Sequence, residues 1–324
     1  MIDNKKILIF GGAGSLGYEL NRHYLDHNIV YNFSRDEHKH WLMKLKFNNH
    51  QNLQFIIGNI LDRDRVRATL LRINPDIVII ASAMKHIDQC EINTGESINT
   101  NLIGTQNILN SVEEYCTQLN LQTLIFVSSD KACNPINNYG MCKALSETLV
   151  IEKAYYIPTI KFINVRYGNV LNSSGSIIPR LHTIGKSTTY DHFSITHPNM
   201  TRFVMTLEQA VNLIEHAIIN GLSGETIISE LTAMKIVDLI DLFSNKYNKP
   251  IKITGMRSGE KLSECLMNFT QSAKSYKIEK YTHIRSVLTY DKKIECEDMC
   301  EYNSDTNLLT SNELKKYLIE LELL

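Results

Sequence analysis

The sequence lacks any long apolar run and any marked excess of charge of either sign. Its 34 Lys and Arg residues are balanced by 35 Asp and Glu residues, so the formal net charge of −1 gives no long-range field toward nucleic acid or an anionic membrane. The first apolar run, Ile7–Phe10, is far too short for a signal peptide or a membrane span, and no later segment reaches membrane length. We therefore expect a cytoplasmic protein with no nucleic-acid or membrane partner.

The chain also lacks the even, closely spaced cysteines of a secreted disulfide scaffold. Its seven cysteines are odd in number and scattered through 324 residues, so we expect reduced thiols. Cys296 and Cys300 lie four positions apart, but no second Cys or His pair accompanies them. Because a structural zinc site needs four such ligands, the sequence predicts no metal.

Short apolar runs alternate with stretches of helical spacing between Lys6 and about Arg166. Apolar strands without polar alternation indicate a parallel sheet covered on both faces. Right-handed crossovers between such strands give a doubly wound α/β fold of the Rossmann type. The predicted strands are Ile7–Phe10, Ile29–Phe33, Leu53–Ile57, Ile77–Ala81, Thr123–Ser128 and Thr159–Val165.

The pattern loosens after Gly168, and this divides the chain. We predict a Rossmann domain over residues 1–167 and a smaller C-terminal substrate-binding lobe over most of 168–280. Residues 207–228 are an open alternative, because they can return to the main sheet. The polar extension 281–324 has no role that the sequence defines. The helices predicted beyond Gly168 are Leu207–Asn220, Met234–Asn245 and Ser311–Leu323.

A glycine-rich loop, Gly11-Gly12-Ala13-Gly14-Ser15-Leu16-Gly17, follows the first strand and opens a helix. Glycines let the backbone approach a pyrophosphate, whose charge then sits on the N–H groups of the helix N-terminus. Because strand, loop and helix occur together, a dinucleotide site is favoured over an ordinary turn. The spacing Gly-x-x-Gly-x-x-Gly is the one familiar from short-chain dehydrogenases.

The end of the second strand indicates which dinucleotide binds. An acid at this position binds the ribose of NAD, whereas an Arg accommodates the 2′-phosphate of NADP. Here Ser34 and Arg35 stand at the position of the acid, and Lys39 lies one turn further. Asp36 is the competing acid, but it fits better as the cap of the next helix. The sequence therefore favours NADP.

Polar residues at the end of the fifth strand suggest catalysis. Ser129 ends the strand, and Tyr139 and Lys143, four residues apart, share one helix face. A lysine ammonium beside Tyr139 would favour the phenolate and make it a base toward a hydroxyl that Ser129 also binds. The adjacent Asp130 and Lys131 suggest a second proton-transfer step; a solvated ion pair is the alternative.

These residues closely resemble the inverting UDP-N-acetylglucosamine 4,6-dehydratases (4,6-dehydratase/5-epimerases), the polysaccharide-biosynthesis branch of the extended short-chain dehydrogenase/reductase family. The matching stretches run from the glycine-rich loop to about Glu264. They include Met84-Lys85-His86, Thr100-Asn101-Leu102-Ile103-Gly104, Ser129-Asp130-Lys131-Ala132, Arg166-Tyr167-Gly168-Asn169-Val170, Met200-Thr201-Arg202-Phe203 and Gly259-Glu260-Lys261.

The resemblance implies roles for individual residues. Asp130, Lys131 and Tyr139 would be catalytic together with Lys143, and Ser129 stands in place of the usual threonine. Asn59, His197 and Ser258 depart from the family pattern. The implied substrate-binding residues are Lys85, Asn169, Arg202, Arg257 and Glu260. The implied cofactor-binding residues are Gly11, Gly14, Ser15, Leu16, Gly17, Ser34, Arg35, Lys39, Asn59, Ile60, Ala81, Lys85, Asn101, Tyr139 and Lys143.

The implied reaction converts UDP-N-acetylglucosamine to UDP-2-acetamido-2,6-dideoxy-β-L-arabino-hex-4-ulose, an early step of a glycan pathway. Tyr139 would deprotonate the 4-hydroxyl, Lys131 would take the C5 hydrogen, and Asp130 with Lys131 would assist loss of the C6 hydroxyl. The division of roles between those two stays open. Alternatives are a UDP-sugar 4-epimerase, a C5-retaining dehydratase and a non-catalytic NADP-binding scaffold. Relatives assemble through residues 100–119 and 138–155, which implies a dimer or a hexamer.

Overall fold

The computed structural model describes residues 2–288 and 299–324. In these residues the strands are β1 Lys6–Phe10, β2 Ile29–Ser34, β3 Leu53–Ile57, β4 Ile77–Ile80, β5 Thr123–Val127, β6 Lys161–Arg166, β7 Asn169–Val170, β8 Phe193–Ile195, β9 Thr201–Met205, β10 Thr226–Ser229, β11 Thr232–Lys235, β12 Ile251–Ile253, β13 Cys265–Met267, β14 Ser275–Ile278, β15 Tyr281–Ile284 and β16 Tyr302–Asn303.

The helices that connect and cover these strands are α1 Ser15–Tyr24, α2 Glu37–Lys46, α3 Arg63–Ile73, α4 Ile87–Ile92, α5 Thr94–Ile98, α6 Gly104–Glu114, α7 Asn138–Tyr156, α8 Ile177–Lys186, α9 Leu207–Asn220, α10 Ile236–Tyr247, α11 Phe269–Ser272 and α12 Ser311–Glu320. A π-helical segment, Asn99–Ile103, precedes α6, and a 3₁₀ turn, Asp130–Ala132, follows β5. No helix of the described residues is long and apolar enough to cross a membrane.

The main sheet has the order β14-β15-β10-β6-β5-β4-β1-β2-β3. The seven strands from β10 to β3 are parallel, and the two at the other edge are antiparallel. All six predicted strands lie in the parallel part, within two residues of their predicted ends. The doubly wound fold class is therefore confirmed.

The first strand shows why the sheet must be covered on both faces. Ile7 and Ile9 pack in one apolar core, whereas Leu8 and Phe10 pack in another. Since neighbouring side chains of a strand point to opposite faces, the two cores lie on opposite sides of the sheet. An apolar run without alternation is what such a strand requires.

Helix α2 begins as the sequence predicts. The Asp36 carboxylate accepts a hydrogen bond from the Lys39 backbone N–H at 3.0 Å. The Lys39 ammonium lies 3.2 Å from the same carboxylate. The hydrogen bond satisfies one of the unpaired N–H groups of the first turn. The interpretation of Asp36 as a helix cap is thus confirmed.

The residues after Gly168 contribute to several layers. Strands β7, β9 and β11 form a small sheet, and helices α8, α10 and α12 enclose a third apolar core. Strand β10 pairs with β6, and α9 covers the main sheet on the side of α1. Strands β14 and β15, which straddle the predicted boundary at residue 280, form the antiparallel edge of that sheet.

Two helix predictions need correction at their ends. Met234 does not begin α10; it lies in β11 opposite Arg202 of β9, where its side chain is buried. Helix α12 ends at Glu320 and not at Leu323, because Glu322 has a φ of 56° that a helix cannot continue. Helix α9 has the predicted bounds.

Candidate active site

The glycine-rich loop connects β1 to α1 with almost no room for side chains. Gly11 has a φ of 89°, and a Cβ there would lie 2.6 Å from the backbone nitrogen of Ser82. A Cβ at Gly17 would lie 2.1 Å from the Gly12 carbonyl oxygen. At Gly14 the nearest atom would be the Gly11 oxygen at 3.4 Å, so this face of the helix N-terminus is open. The loop thus has the form that a phosphate group requires.

A second loop lies against the first. The Ser174 backbone N–H donates to Ser15 Oγ at 3.0 Å, and the two hydroxyls are 3.2 Å apart. Lys85 donates from Nζ to the Ser174 carbonyl at 2.5 Å. Burial lowers the pKa of Lys85. These contacts bring the segment after β7 next to the N-terminus of α1, where Leu16 packs against the core.

The residues predicted to select the cofactor surround the end of β2. Ser34 Oγ lies 2.7 Å from His40 Nε2, so this hydroxyl already has a partner. Burial lowers the pKa of His40, against the opposite effect of Asp36. Arg35 is exposed at the end of the strand, and Lys39 is exposed one turn later. Both cations therefore face solvent near β1, the strand that precedes the glycine-rich loop.

Asn59 and Asn101 use their amides to fix nearby backbone. Asn59 Oδ1 accepts from the Leu61 N–H at 3.1 Å. Asn101 binds both backbone groups of Met84, accepting at 2.8 Å and donating at 3.0 Å. These contacts fix the backbone next to the predicted cofactor site. Ile60 packs under Gly104, and Ala81 continues β4 by donating to the Phe10 carbonyl at 2.8 Å.

The turn after β5 concentrates the predicted catalytic groups. Ser129 Oγ donates to Asp130 Oδ1 at 2.9 Å and accepts from the Lys131 backbone N–H at 3.2 Å. Lys131 Nζ also lies 2.9 Å from Asp130 Oδ1. The second oxygen of Asp130 is buried and has no hydrogen-bond partner among the described residues. Because Asp130 is only 1% exposed, the alternative of a solvated ion pair does not hold.

Tyr139 reaches the same turn from α7. Burial raises the pKa of Tyr139, and the Asp130 carboxylate adds to the rise, whereas a hydrogen bond with Ser129 opposes it. Lys143 donates from Nζ to the Val127 carbonyl at 2.7 Å, and burial lowers its own pKa to about 8. The raised pKa of Tyr139 thus comes from burial and Asp130, and the expectation that Lys143 favours the phenolate stays a prediction.

A buried carboxylate that the sequence analysis assigned no role completes the cluster. Glu264 Oε1 lies 3.5 Å from Lys131 Nζ and 3.7 Å from Arg202 Nε. Lys261 Nζ lies 3.9 Å from its other oxygen. The signal for Glu264 in the sequence was its position as a charged residue directly before the apolar strand Cys265–Met267.

Arg202, predicted to bind the substrate diphosphate, lies mostly inside the protein. Its Nη1 donates to the Thr201 carbonyl at 2.7 Å and to the Leu262 carbonyl at 3.3 Å. Burial alone would lower the pKa of Lys131, but Asp130 and Glu264 hold that pKa above its ordinary value, with Arg202 acting against them. Arg202 is thus part of the electrostatic environment of Lys131.

The remaining predicted substrate ligands lie on exposed segments. Asn169 is exposed on β7, and Arg257 is exposed in the loop before Gly259. Glu260 Oε2 accepts from the Arg257 backbone N–H at 3.0 Å. Asn137, the cap of α7, donates to the Gly259 carbonyl at 2.9 Å. This last contact ties the loop to the start of the helix that carries Tyr139.

Known proteins are similar to this chain in sequence and in fold. The family described as "Polysaccharide biosynthesis protein" matches residues 7–286. A Campylobacter jejuni protein named UDP-N-acetylglucosamine 4,6-dehydratase (inverting) is 33% identical over 99% of this chain and 98% of its own. A Rickettsia bellii protein named UDP-glucose 4-epimerase is 33% identical over 99% of this chain and 97% of its own.

A solved structure gives the same picture. Pen from Bacillus thuringiensis superposes with a TM-score of 0.91 at 30% identity, and the match covers 99% of each chain. The resemblance to the inverting dehydratases, carried by the glycine-rich loop and the Ser129–Lys131 turn, is confirmed by these matches. The chain belongs to the polysaccharide biosynthesis protein family of extended short-chain dehydrogenases/reductases.

Proposed function

We propose that this protein is an NADP-dependent, inverting UDP-N-acetylglucosamine 4,6-dehydratase. The observation that carries the proposal is the buried pair of Asp130 and Lys131, 2.9 Å apart, beside Ser129 and Tyr139. An enzyme that only oxidises an alcohol needs one proton acceptor. A dehydratase also needs a base at C5 and an acid at the C6 hydroxyl, and this pair offers both.

The residues around the glycine-rich loop fit a dinucleotide. The open face of Gly14 leaves space at the helix N-terminus, and the buried hydroxyl of Ser82 has no partner among the described residues. Arg35 and Lys39 would hold the 2′-phosphate, because guanidinium and ammonium groups both bind phosphate. Bound NADP would supply a reversible hydride acceptor for the oxidation at C4 and the reduction at C6.

The first step needs a base at the 4-hydroxyl of the sugar. Tyr139 would take that proton, with Ser129 donating to or accepting from the same oxygen. Since burial and Asp130 raise the pKa of Tyr139, the phenol keeps its proton at neutral pH in the free protein. The rate of oxidation is therefore expected to increase with pH.

The second step eliminates water, and one proton shared by Asp130 and Lys131 accounts for it. Transfer across their 2.9 Å contact gives a neutral amine and a carboxylic acid. The amine takes the C5 proton while the acid donates its proton to the departing C6 hydroxyl. Both groups thereby return to the ion pair. A proton from solvent then reaches C5 on the opposite face, and Tyr139 releases the proton of the 4-hydroxyl to solvent.

The uridine diphosphate would be held by Arg257, Glu260 and Asn169. Lys85 would lie near both the cofactor and the substrate. Arg257 is exposed and can reach a phosphate, and Glu260 has one oxygen beyond its contact with the Arg257 backbone to offer a ribose hydroxyl. The contact between Asn137 and Gly259 keeps this loop near α7. Arg202 would act on the diphosphate from the inner side of the site.

A UDP-sugar 4-epimerase is the second candidate, favoured by the name of the Rickettsia bellii relative. An epimerase returns hydride to C4 and loses no water, so it needs no acid at C6. Incubation with UDP-N-acetylglucosamine and a catalytic amount of NADP separates the two. We expect a 4-keto-6-deoxy sugar by NMR and no accumulation of NADPH. Formation of UDP-N-acetylgalactosamine would establish the epimerase instead.

We further propose that the protein is cytoplasmic and acts as a homo-oligomer. Residues 100–119 and 138–155 are the proposed contact, and Ile103, Leu145 and Tyr155 there are large apolar side chains that are 37%, 53% and 56% exposed. Light scattering on the purified protein would report a dimer or a hexamer. A monomer at working concentration would contradict this part of the proposal.

A further inference from the structure

Glu264 carries a charge that packing alone does not explain. Its side chain is 2% exposed, yet each of its oxygens is at least 3.5 Å from the nearest cation. Oε2 has no hydrogen-bond partner among the described residues. Burying a carboxylate is unfavourable unless it is paired and hydrogen-bonded. A residue that met only a structural need would have closer partners, as the buried Arg166–Glu147 pair has at 2.6 Å.

The cations around Glu264 explain what its charge does. Lys131, Arg202 and Lys261 all lie within 4 Å of it. Together with Asp130, two carboxylates thus face three cations in a mostly buried cluster. Lys131 is the only member that contacts both carboxylates. Glu264 therefore attracts the Lys131 ammonium in addition to Asp130.

The C-terminal segment holds Glu264 in place. Ser304 Oγ accepts from the Glu264 backbone N–H at 2.9 Å, and the Ser304 N–H donates to the Glu264 carbonyl at 2.9 Å. The same hydroxyl lies 2.8 Å from Thr201 Oγ1, next to Arg202 in the chain. Strand β16 pairs with β13 at Cys265, and Ser304 is fully buried. One hydroxyl thus contacts the backbone of Glu264 and the side chain of Thr201, the residue before Arg202.

We propose that Glu264 is a positioning residue that holds the Lys131 side chain against Asp130, and that Ser304 of the C-terminal segment fixes Glu264 for this task. The inference rests on the proposed function of Lys131 in proton transfer. It assigns a role to part of the segment 281–324, which the sequence leaves without one.

Removing the charge of Glu264 changes Lys131 in a predictable direction. In a Glu264→Gln variant the charged groups facing Lys131 are Asp130 and Arg202, and Lys261 loses its carboxylate partner. The variant has one anion fewer near Lys131 and the same cations, and this favours the neutral form of the Lys131 amine. The proton on Lys131 is then lost at a lower pH. The amine is also less well placed, and misplacement by about 1 Å can cost about 10²-fold in rate.

The variants to compare are Glu264→Gln, Glu264→Asp and Ser304→Ala, with Glu225→Gln as the matched control. Glu225 is a buried carboxylate paired with His283 on the main sheet, outside the charged cluster. For Glu264→Gln we expect a lower kcat, an unchanged KM, and a pH–rate limb shifted to lower pH. Glu264→Asp keeps the charge and should keep the position of that limb. Glu225→Gln should keep both kcat and the limb.

Competitive acetylation gives a readout that needs no turnover. The rate at which acetic anhydride labels Lys131, followed by mass spectrometry against pH, reports its neutral fraction. Glu264→Gln should move this profile to lower pH, and Ser304→Ala should move it in the same direction by less. If a folded Glu264→Gln protein keeps the wild-type profile, Glu264 does not position Lys131. If Glu264→Gln does not fold, an unchanged profile in Ser304→Ala overturns the proposal. A wild-type protein without dehydratase activity contradicts the proposed function and leaves this profile as an independent result.

Discussion

Lys131 and Asp130 form a buried ion pair, with Nζ 2.9 Å from Oδ1, while the second oxygen of Asp130 has no hydrogen-bond partner among the described residues. Buried polar atoms are almost always satisfied. We therefore expect the second oxygen of Asp130 to bind a ligand hydroxyl. In the proposed reaction the C6 hydroxyl of the sugar occupies that site and leaves with the proton of Asp130.

Replacement of Lys131 tests its role directly. Lys131→Ala should reduce kcat by about 10²–10⁴-fold, the usual loss for one proton-transfer group. Nucleotide binding should persist, because Lys131 lies outside the glycine-rich loop. Lys161→Ala is a suitable control, since Lys161 is a half-buried lysine that donates to the Ile218 carbonyl at 2.6 Å. Near-normal product formation by Lys131→Ala, measured by NMR, would exclude the proposed role.

Arg35 should decide the choice between NADP and NAD. Arg35→Ala should remove most of the preference for NADP, on the order of 1.5–3 kcal/mol for a hydrogen bond to a charged group. Titration calorimetry with both dinucleotides gives the two Kd values. Arg72, an exposed arginine in the last turn of α3, provides the control. A wild-type protein that binds NADP and NAD equally would show that the assignment is wrong.

Gly14 separates cofactor binding from folding. A Cβ at Gly14 would meet no protein atom closer than 3.4 Å, and its φ of −84° suits any residue. Gly14→Ala should therefore leave Tm unchanged but weaken NADP binding, because the methyl group occupies the approach of the phosphate. Gly95→Ala, where no atom lies within 4 Å, should change neither property. If Gly14→Ala binds NADP like the wild type, the phosphate does not sit at this helix N-terminus.

The stability of the main sheet should depend on pH through His216. Its Nε2 lies 2.9 Å from Nε2 of His283, and burial with this second ring lowers the pKa of His216 to about 4. The pKa in the unfolded chain is about 6.5. The folded state thus binds the proton less readily, so the contribution of His216 is complete above about pH 6.5 and is lost as the pH falls toward 4.

Urea unfolding between pH 4 and 8 checks this sign. The free energy of unfolding should fall more steeply with acidification in the wild type than in His216→Gln. His27→Gln, at an exposed position, should keep the wild-type slope. Equal slopes in the wild type and His216→Gln would mean that His216 does not titrate as the geometry requires.

Local chemistry explains which features the sequence predicts. The apolar strands of the Rossmann fold, the glycine-rich loop and the cap at Asp36 depend on neighbouring residues only, so their patterns are complete within a few positions. Tyr139 and Lys131 are also recognisable in the sequence. Lys131 follows the end of a predicted strand, and Tyr139 lies four residues before Lys143 on a helix. The sequence does not predict the edge strands β14 and β15, because they belong to the main sheet although they lie outside the predicted Rossmann domain.

Long-range contacts explain what the sequence does not predict. Ser304 reaches Glu264 across 40 positions, and no local pattern marks either residue as a partner of Lys131. The bond between His40 and Ser34 spans only six positions, but it depends on how α2 packs on the sheet. The raised pKa of Tyr139 could not be foreseen either, because it depends on burial and on the neighbouring charge of Asp130.

The configuration at C5 of the product tests the central claim most directly. UDP-N-acetylglucosamine is incubated with the protein and catalytic NADP in heavy water, and fresh samples are read by proton NMR. If Lys131 removes the C5 proton from one face and protonation follows from the other, the product has the L-arabino configuration, with deuterium at C5 and the original C4 hydride at C6. The ring coupling constants identify this configuration. A D-xylo product, seen before any non-enzymatic epimerisation, would contradict the inverting mechanism.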